Sequence, residues 1–200
     1  MTATPSPISA STEKPCGELY PLSSANSKPK LRIVESQGQV QVHMASYSGS
    51  FPLVLSEALR SAGLGSRVLI AQFLKGGVSQ GPQKAINLCG RLQWFRPNTN
   101  CYLGRSHSGQ NHLSDEFVKS KMAVQEIWEV CKANLLKEAV NKIVLDEIGL
   151  AMKLGFIKED DLIETLEQRP RSIDLILTGP FIPENVIAMA DQVTELRCSR

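Results

Sequence analysis

The sequence predicts an α/β domain, a mostly parallel sheet of about six strands flanked by helices, and three observations predict it. From about Val34 onward, short apolar runs alternate with stretches of helical periodicity, the order expected of βα units. Two of those runs, IVLD ending at Asp146 and IDLILT ending at Thr178, are nearly unbroken in apolar side chains. Strands covered on both faces need that pattern, so these two are expected near the centre of the sheet. Beyond residue 34 there is no internal repeat and no low-complexity stretch, so all the elements belong to one fold.

The strands are expected at residues 39–44, 67–73, 92–95, 142–146, 173–178 and 192–196. The first helix is marked by Leu55, Ala58, Leu59 and Ala62 at the 3.6-residue period, with Gly63 as its stop. The longest helix is expected over 114–139. Its stripe of Val124, Ile127, Trp128, Cys131 and Leu135 marks one face, which makes Trp128 a core residue rather than part of a cofactor site. Two shorter helices are expected near 158–168 and 183–190.

Composition bounds the function. Two hundred residues with 42% hydrophobic and 21% charged content suit one globular domain, residues 34–200, with no room for a second. Residues 1–33 are rich in Ser, Thr and Pro and are expected to be a disordered tail, because they cannot bury enough apolar surface to offset the entropy of ordering. The net charge of +2 arises from interspersed charges, without a basic block to neutralise a row of phosphates, so nucleic acid is not an expected partner. No run approaches the ~18 apolar residues of a membrane span. No basic start followed by an apolar stretch marks a secretory signal, and a cytoplasmic location is expected. Five cysteines, at 16, 89, 101, 131 and 198, are scattered without a C-x-x-C pair and read as thiols in a reducing compartment. His107 and His112 lie five residues apart in a polar segment that lacks companion ligands at helical spacing, so it reads as a metal-free loop.

Two places could carry chemistry. Asp146 and Glu147 end an apolar strand, where a nucleotide-binding sheet holds Mg²⁺; an acidic residue there is equally a way to start a loop or cap a helix. The matching phosphate cradle would be a glycine-rich loop between the first strand and the first helix, written G-x-x-x-x-G-K-[ST]. At that place the chain reads Met44-Ala45-Ser46-Tyr47-Ser48-Gly49-Ser50-Phe51, followed by Pro52, and only the second glycine is present.

A wider resemblance rests on ALRSAGLGSRVLIAQFLKGG (residues 58–77), VLDEIGLAMKLGFI (144–157), LIETLEQRP (162–170) and ILTGPFIPENVIAMADQVTELR (176–197). In order and spacing these segments are similar to the ATP:corrinoid adenosyltransferase family. The resemblance implies a P-loop NTPase (RecA-like) architecture in which the cobalt of a reduced corrinoid attacks the 5′ carbon of Mg·ATP and triphosphate leaves. It places the nucleotide-binding positions at Ser48, Gly49, Ser50, Lys75, Glu147, Thr178 and Gly179, with Asp146 as the Mg²⁺ ligand if ATP binds. Alignment through ALRSAG puts Met44 at the family's first loop glycine, Ser50 at its Lys and Phe51 at its Thr.

Those departures weaken the expected grip. A phenyl ring cannot ligate a metal, and Pro52 offers no N–H. Losing two charge-assisted hydrogen bonds at about 1.5–3 kcal/mol each costs about 3–6 kcal/mol. That is about a hundredfold to ten-thousandfold in affinity. Lys75 reads as a solvated surface lysine, with a swing of its ammonium toward phosphate as the alternative. The family's aromatic Gly-Phe-Thr-Trp element is replaced by PNTNCYLGRSHSGQNH, where Tyr102 is the aromatic left, and its TGR becomes Thr178-Gly179-Pro180. A non-catalytic binding or regulatory scaffold is therefore expected, with no cofactor assigned beyond the Mg²⁺ and ATP, with a corrinoid substrate, that a persisting family activity would imply, and with a protein partner or a second copy as the associate. The alternative is an adenosyltransferase with an atypical loop, in which Asp146 and Glu147 hold Mg²⁺ while Lys75 or the backbone near Gly49 contacts phosphate.

Overall fold

The computed structural model describes residues 37–46, 51–75, 86–88, 90–98 and 115–197. The expected tail, residues 1–33, lies outside them. The described strands are β1 (Val40–Ala45), β2 (Val68–Gln72), β3 (Ile86–Leu88), β4 (Leu92–Phe95), β5 (Lys142–Asp146), β6 (Asp174–Thr178) and β7 (Gln192–Leu196). They form one sheet in the order β3-β4-β2-β5-β6-β1-β7. All neighbours run parallel except β3, which pairs antiparallel with β4. The unbroken apolar runs, β5 and β6, lie side by side in the interior of the sheet, as their sequences demand. Parallel pairing also aligns strand ends: Gln72 lies opposite Asp146, Leu145 opposite Leu177, and His43 opposite Thr178.

β3 was not expected from the sequence. Three residues carry too little alternation to register as a strand, and β3 exists because the chain folds back onto β4 through Gly90 at φ 68°.

The helices are α1 (Pro52–Gly63), α2 (Asp115–Leu136), α3 (Ile148–Lys153), α4 (Glu159–Glu167) and α5 (Glu184–Ala188). α1 lies on one face of the sheet, where Val54, Ala58 and Ala62 pack with Val68, Ile70, Trp94, Val144 and Ile176. Two of its three buried side chains are alanines, which lets the helix lie close to the strands. α2 to α5 line the other face over a larger core. The stripe expected on α2 is buried throughout, with Trp128 edge-on to Phe73 and its indole N–H donating to Asp161 Oδ2 of α4 at 2.6 Å. Trp128 thus belongs to the core, and burial pushes the neighbouring Cys131 thiol far up from its ordinary value, leaving it inert.

α1 ends at Gly63, as the sequence predicts. Beyond it the chain turns through Leu64, with Gly65 at φ 109° and the paired bonds Gly65 N–H to Ala62 O and Ser66 N–H to Ser61 O. α3 was not foreseen, because six residues show less than two turns of periodicity. It closes by the same device, with Gly155 at φ 71° donating to Met152 O and Phe156 donating to Ala151 O.

The start of α3 passes tightly beneath the turn after β6. A Cβ on Gly149 would collide with the carbonyl oxygen of Pro180 and stand 2.8 Å from Ile182 N, whereas one on Gly63 would meet nothing within 4 Å. Gly149→Ala is expected to lower unfolding free energy by about 2–3 kcal/mol. Gly63→Ala should raise it by about 0.5–1 kcal/mol. Denaturant unfolding of the two variants checks both signs.

Candidate functional site

Of the polar residues singled out in the sequence, Lys75, Asp146, Glu147 and Thr178 converge where β2, β4, β5 and β6 end. Asp146, the last residue of β5, is 1% exposed and accepts three side-chain hydrogen bonds. Gln72 Nε2 and Lys75 Nζ donate to Oδ2 at 2.8 and 3.0 Å, and the Thr178 hydroxyl donates to Oδ1 at 2.8 Å. Gln72 is itself oriented from β4, because the Trp94 indole N–H donates to its Oε1 at 2.9 Å and turns the amide nitrogen toward Asp146. Each strand end contributes one member, so the cluster stands on the register of the sheet rather than on a flexible loop.

Lys75 is the largest correction to the sequence reading. It is not a solvated surface lysine: it is 3% exposed, and its ammonium lies 3.0 Å from Asp146 Oδ2 and 4.0 Å from Glu147 Oε2. The cause is local. Phe73 and Leu74, both fully buried, draw the chain inward as it leaves β2, and Lys75 follows them to the carboxylates.

Glu147 is fully buried and sits in the left-handed region at φ 60°, a conformation that turns the chain sharply from β5 into α3. Its N–H is donated to Thr178 Oγ1 at 3.1 Å, so that hydroxyl accepts from one acidic residue and donates to the other. Gly179, at φ 120°, donates its N–H to His43 O of β1, and a Cβ there would stand 3.0 Å from Glu147 Cα. The Thr178-Gly179 pair therefore joins the ends of β1, β5 and β6.

Three members were missed in the sequence. Gln72 and Trp94 were read as strand residues, although a glutamine closing the run VLIAQ was a usable signal. Arg96 follows β4 and is 4% exposed. Desolvation lowers its guanidinium below the ordinary arginine value, and the nearby negative charge of Asp146 opposes that effect. Nothing in the sequence marks an arginine beyond a strand as buried; only the register brings it here.

The proposed phosphate positions Ser48, Gly49 and Ser50 lie outside the described residues, as do Tyr102, His107 and His112. The helix start beside them is described. Phe51, 4% exposed, occupies the N-cap of α1 with an extended backbone and no side-chain cap, and Pro52 takes the first helical position. The Phe51 ring packs with Ala45 and Val54 and meets His43 edge-on, ring centroids 6.3 Å apart. Burial lowers the His43 pKa from its ordinary 6.5, with Glu57 opposing.

Among the described residues no group of three or more His, Cys, Asp or Glu side chains could hold a metal ion. The acidic pair as arranged does not fit Mg²⁺, which demands oxygen ligands in near-octahedral order. The space between the two carboxylates is taken by an ammonium. Among the described residues no helix is long and apolar enough to cross a membrane.

Residues 36–200 match the family described as ATP:corrinoid adenosyltransferase BtuR/CobO/CobP. The chain belongs to the ATP:corrinoid adenosyltransferase family. It is 25% identical to a corrinoid adenosyltransferase of Escherichia coli K12 over 173 residues, 85% of this chain and 83% of that protein. It is likewise 25% identical to the corrinoid adenosyltransferase CobA of Salmonella typhimurium, over 82% of this chain and 78% of the relative. An uncharacterized protein of Nostoc, all2391, is 26% identical over 84% of this chain, which spans only 46% of that relative's length. Family membership accounts for the α/β architecture, a largely parallel sheet flanked by helices in the P-loop NTPase-like manner.

Two outcomes test the cluster. Thr178→Val removes the hydroxyl that serves both Asp146 and the Glu147 N–H, and a loss of about 1–3 kcal/mol in unfolding free energy is expected. His43 has a folded pKa below its unfolded one, so its contribution is complete above the ordinary value and is lost as pH falls toward the folded value. The fall in stability between about pH 7 and about pH 5 should be shallower in His43→Asn than in the parent chain, read by denaturant titrations at the two pH values.

Proposed function

We propose that this chain keeps the fold of its family but has lost, or retains only weakly, ATP-dependent adenosyl transfer, and serves as a binding or regulatory scaffold. The observation that carries this reading is Phe51. Where the family places a threonine hydroxyl able to face a metal, a phenyl ring is buried in the α1-side core. Refilling that position with a metal-facing group would require the ring to leave the core, which costs about 1.5–3 kcal/mol of hydrophobic burial in addition to the missing ligand. Pro52 removes a further backbone donor from the first turn, just where a helix N-terminus would present its N–H groups to phosphate.

Mg·ATP, when bound in the family, supplies the electrophilic 5′ carbon and the triphosphate leaving group; a corrinoid supplies the nucleophile. What this chain's own residues offer at the helix start is apolar contact, and at the strand ends a cluster whose carboxylates are already engaged. A scaffold of this kind is suited to association with another protein, an intact family enzyme included.

The convergence of Lys75, Asp146, Glu147 and Thr178 favours a second reading, a slow adenosyltransferase whose strand-end residues are retained for catalysis. The two differ in calorimetry. The scaffold reading expects no binding heat when millimolar Mg·ATP is titrated into the chain, and no adenosylcobalamin formed from reduced cobalamin. Saturable heat that disappears in Asp146→Asn, with measurable formation of adenosylcobalamin, would establish the second reading instead.

A further inference from the structure

We infer that Lys75 is a built-in cation standing where a divalent metal would bridge Asp146 and Glu147, so that the strand-end centre is complete without metal. This goes beyond the loss of the phosphate grip, since it concerns the acidic pair rather than the helix start and rests on a different observation.

The charge inventory comes first. Among the described residues, two carboxylates, Asp146 and Glu147, and two cations, Lys75 and Arg96, are buried at the ends of adjacent strands, and their formal charges cancel. Buried charges persist only when compensated. In a metal-dependent acidic pair the compensating charge is supplied from solution, and the pair stays accessible to receive it. Here the chain supplies it, and the side chains involved are shut away from water.

Position comes next. The ammonium lies within 3.0 Å of one carboxylate and 4.0 Å of the other, a bridging placement that a small divalent ion could share only by expelling it. Expulsion is hindered because buried Phe73 and Leu74 fix the backbone that carries Lys75, and the side chain is 4% exposed. The rest of Asp146 is also committed. Gln72, held by Trp94, donates to the same oxygen as Lys75, and Thr178 donates to the other. An incoming ion would therefore meet an ammonium, a guanidinium and two oriented donors, all unfavourable to positive charge.

The chemical consequence concerns the ligand class. A buried centre whose described charges cancel and which needs no metal suits a neutral or singly charged ligand seated above it without metal, and is poorly matched to a metal-chelated triphosphate.

The test uses Mn²⁺ alone, with no nucleotide, read by electron paramagnetic resonance of free Mn²⁺ and by thermal unfolding of the full chain. The parent chain is expected to bind no Mn²⁺ that depends on Asp146, and its melting temperature should not respond to the ion. Lys75→Met leaves the carboxylates without their bridge; it should gain one Mn²⁺ site, with affinity at least about tenfold above the parent's, and be stabilised by the ion. Lys75→Met combined with Asp146→Asn should lose that site. Saturable Mn²⁺ binding by the parent chain that vanishes in Asp146→Asn would overturn the inference, as would a folded Lys75→Met variant with no gain in binding. Should Lys75→Met fail to fold, the parent chain with and without Asp146→Asn decides the matter by itself. None of these readouts involves ATP, so the inference can fail while the proposed loss of adenosyl transfer stands, and the reverse.

Discussion

The ion pair between Lys75 and Asp146 is the constraint from which the arrangement of the strand ends follows. An ammonium and a carboxylate 3.0 Å apart, each almost wholly withdrawn from water, tolerate little displacement. Neither charge can be stranded without a cost of about 3–5 kcal/mol. The pair spans adjacent strands, β2 and β5, and Asp146 carries the constraint onward through Thr178 to β6. Gln72 and Trp94 extend it to β4. A buried network of this kind adds little net stability over apolar packing, but it admits essentially one register. The tight turns at Glu147 and Gly179 are its backbone counterpart, since the network forms only if the chain leaves both strands sharply and the two turns pass within van der Waals contact.

The helix start that follows β1 obeys a different logic. α1 has Pro52 at its first position and Ala58 and Ala62 against the strands, a good arrangement for a helix lying low on the sheet. Phe51 completes that arrangement by sealing the end of the interface beside Ala45 and Val54. The residues that make this end a better core make it a poorer cradle. Apolar burial and phosphate recognition compete for the same few positions, because one requires side chains turned inward and the other requires donors turned outward.

Much of the fold was legible because long-period signals do not depend on partners. The runs IVLD and IDLILT marked interior strands, and the stripe from Val124 to Leu135 marked the buried face of α2, since burial on both faces and burial on one stripe leave different apolar patterns. What escaped was short. β3 and α3 have three and six residues, too few for a period to repeat, and each exists because a neighbour or a tight turn holds it. The stop of α1 at Gly63 was legible, whereas the turn that follows it was not: Gly63 and Gly65 look alike in sequence, and only the positive φ at Gly65 separates them.

For the candidate site, the sequence by itself determined which chemistry-bearing residues are present and which are absent: an acidic pair closing a strand, a Thr-Gly after the next, and a phenylalanine and a proline where a phosphate loop would need other groups. These are statements of identity and order along the chain. Only the tertiary structure decided where Lys75 points, that Trp94, Gln72 and Arg96 join the acidic pair, and that Phe51 faces the core. The contacts of the polar cluster join residues more than twenty positions apart, and a charge there is neutralised by what the register sets beside it, not by its neighbours in sequence.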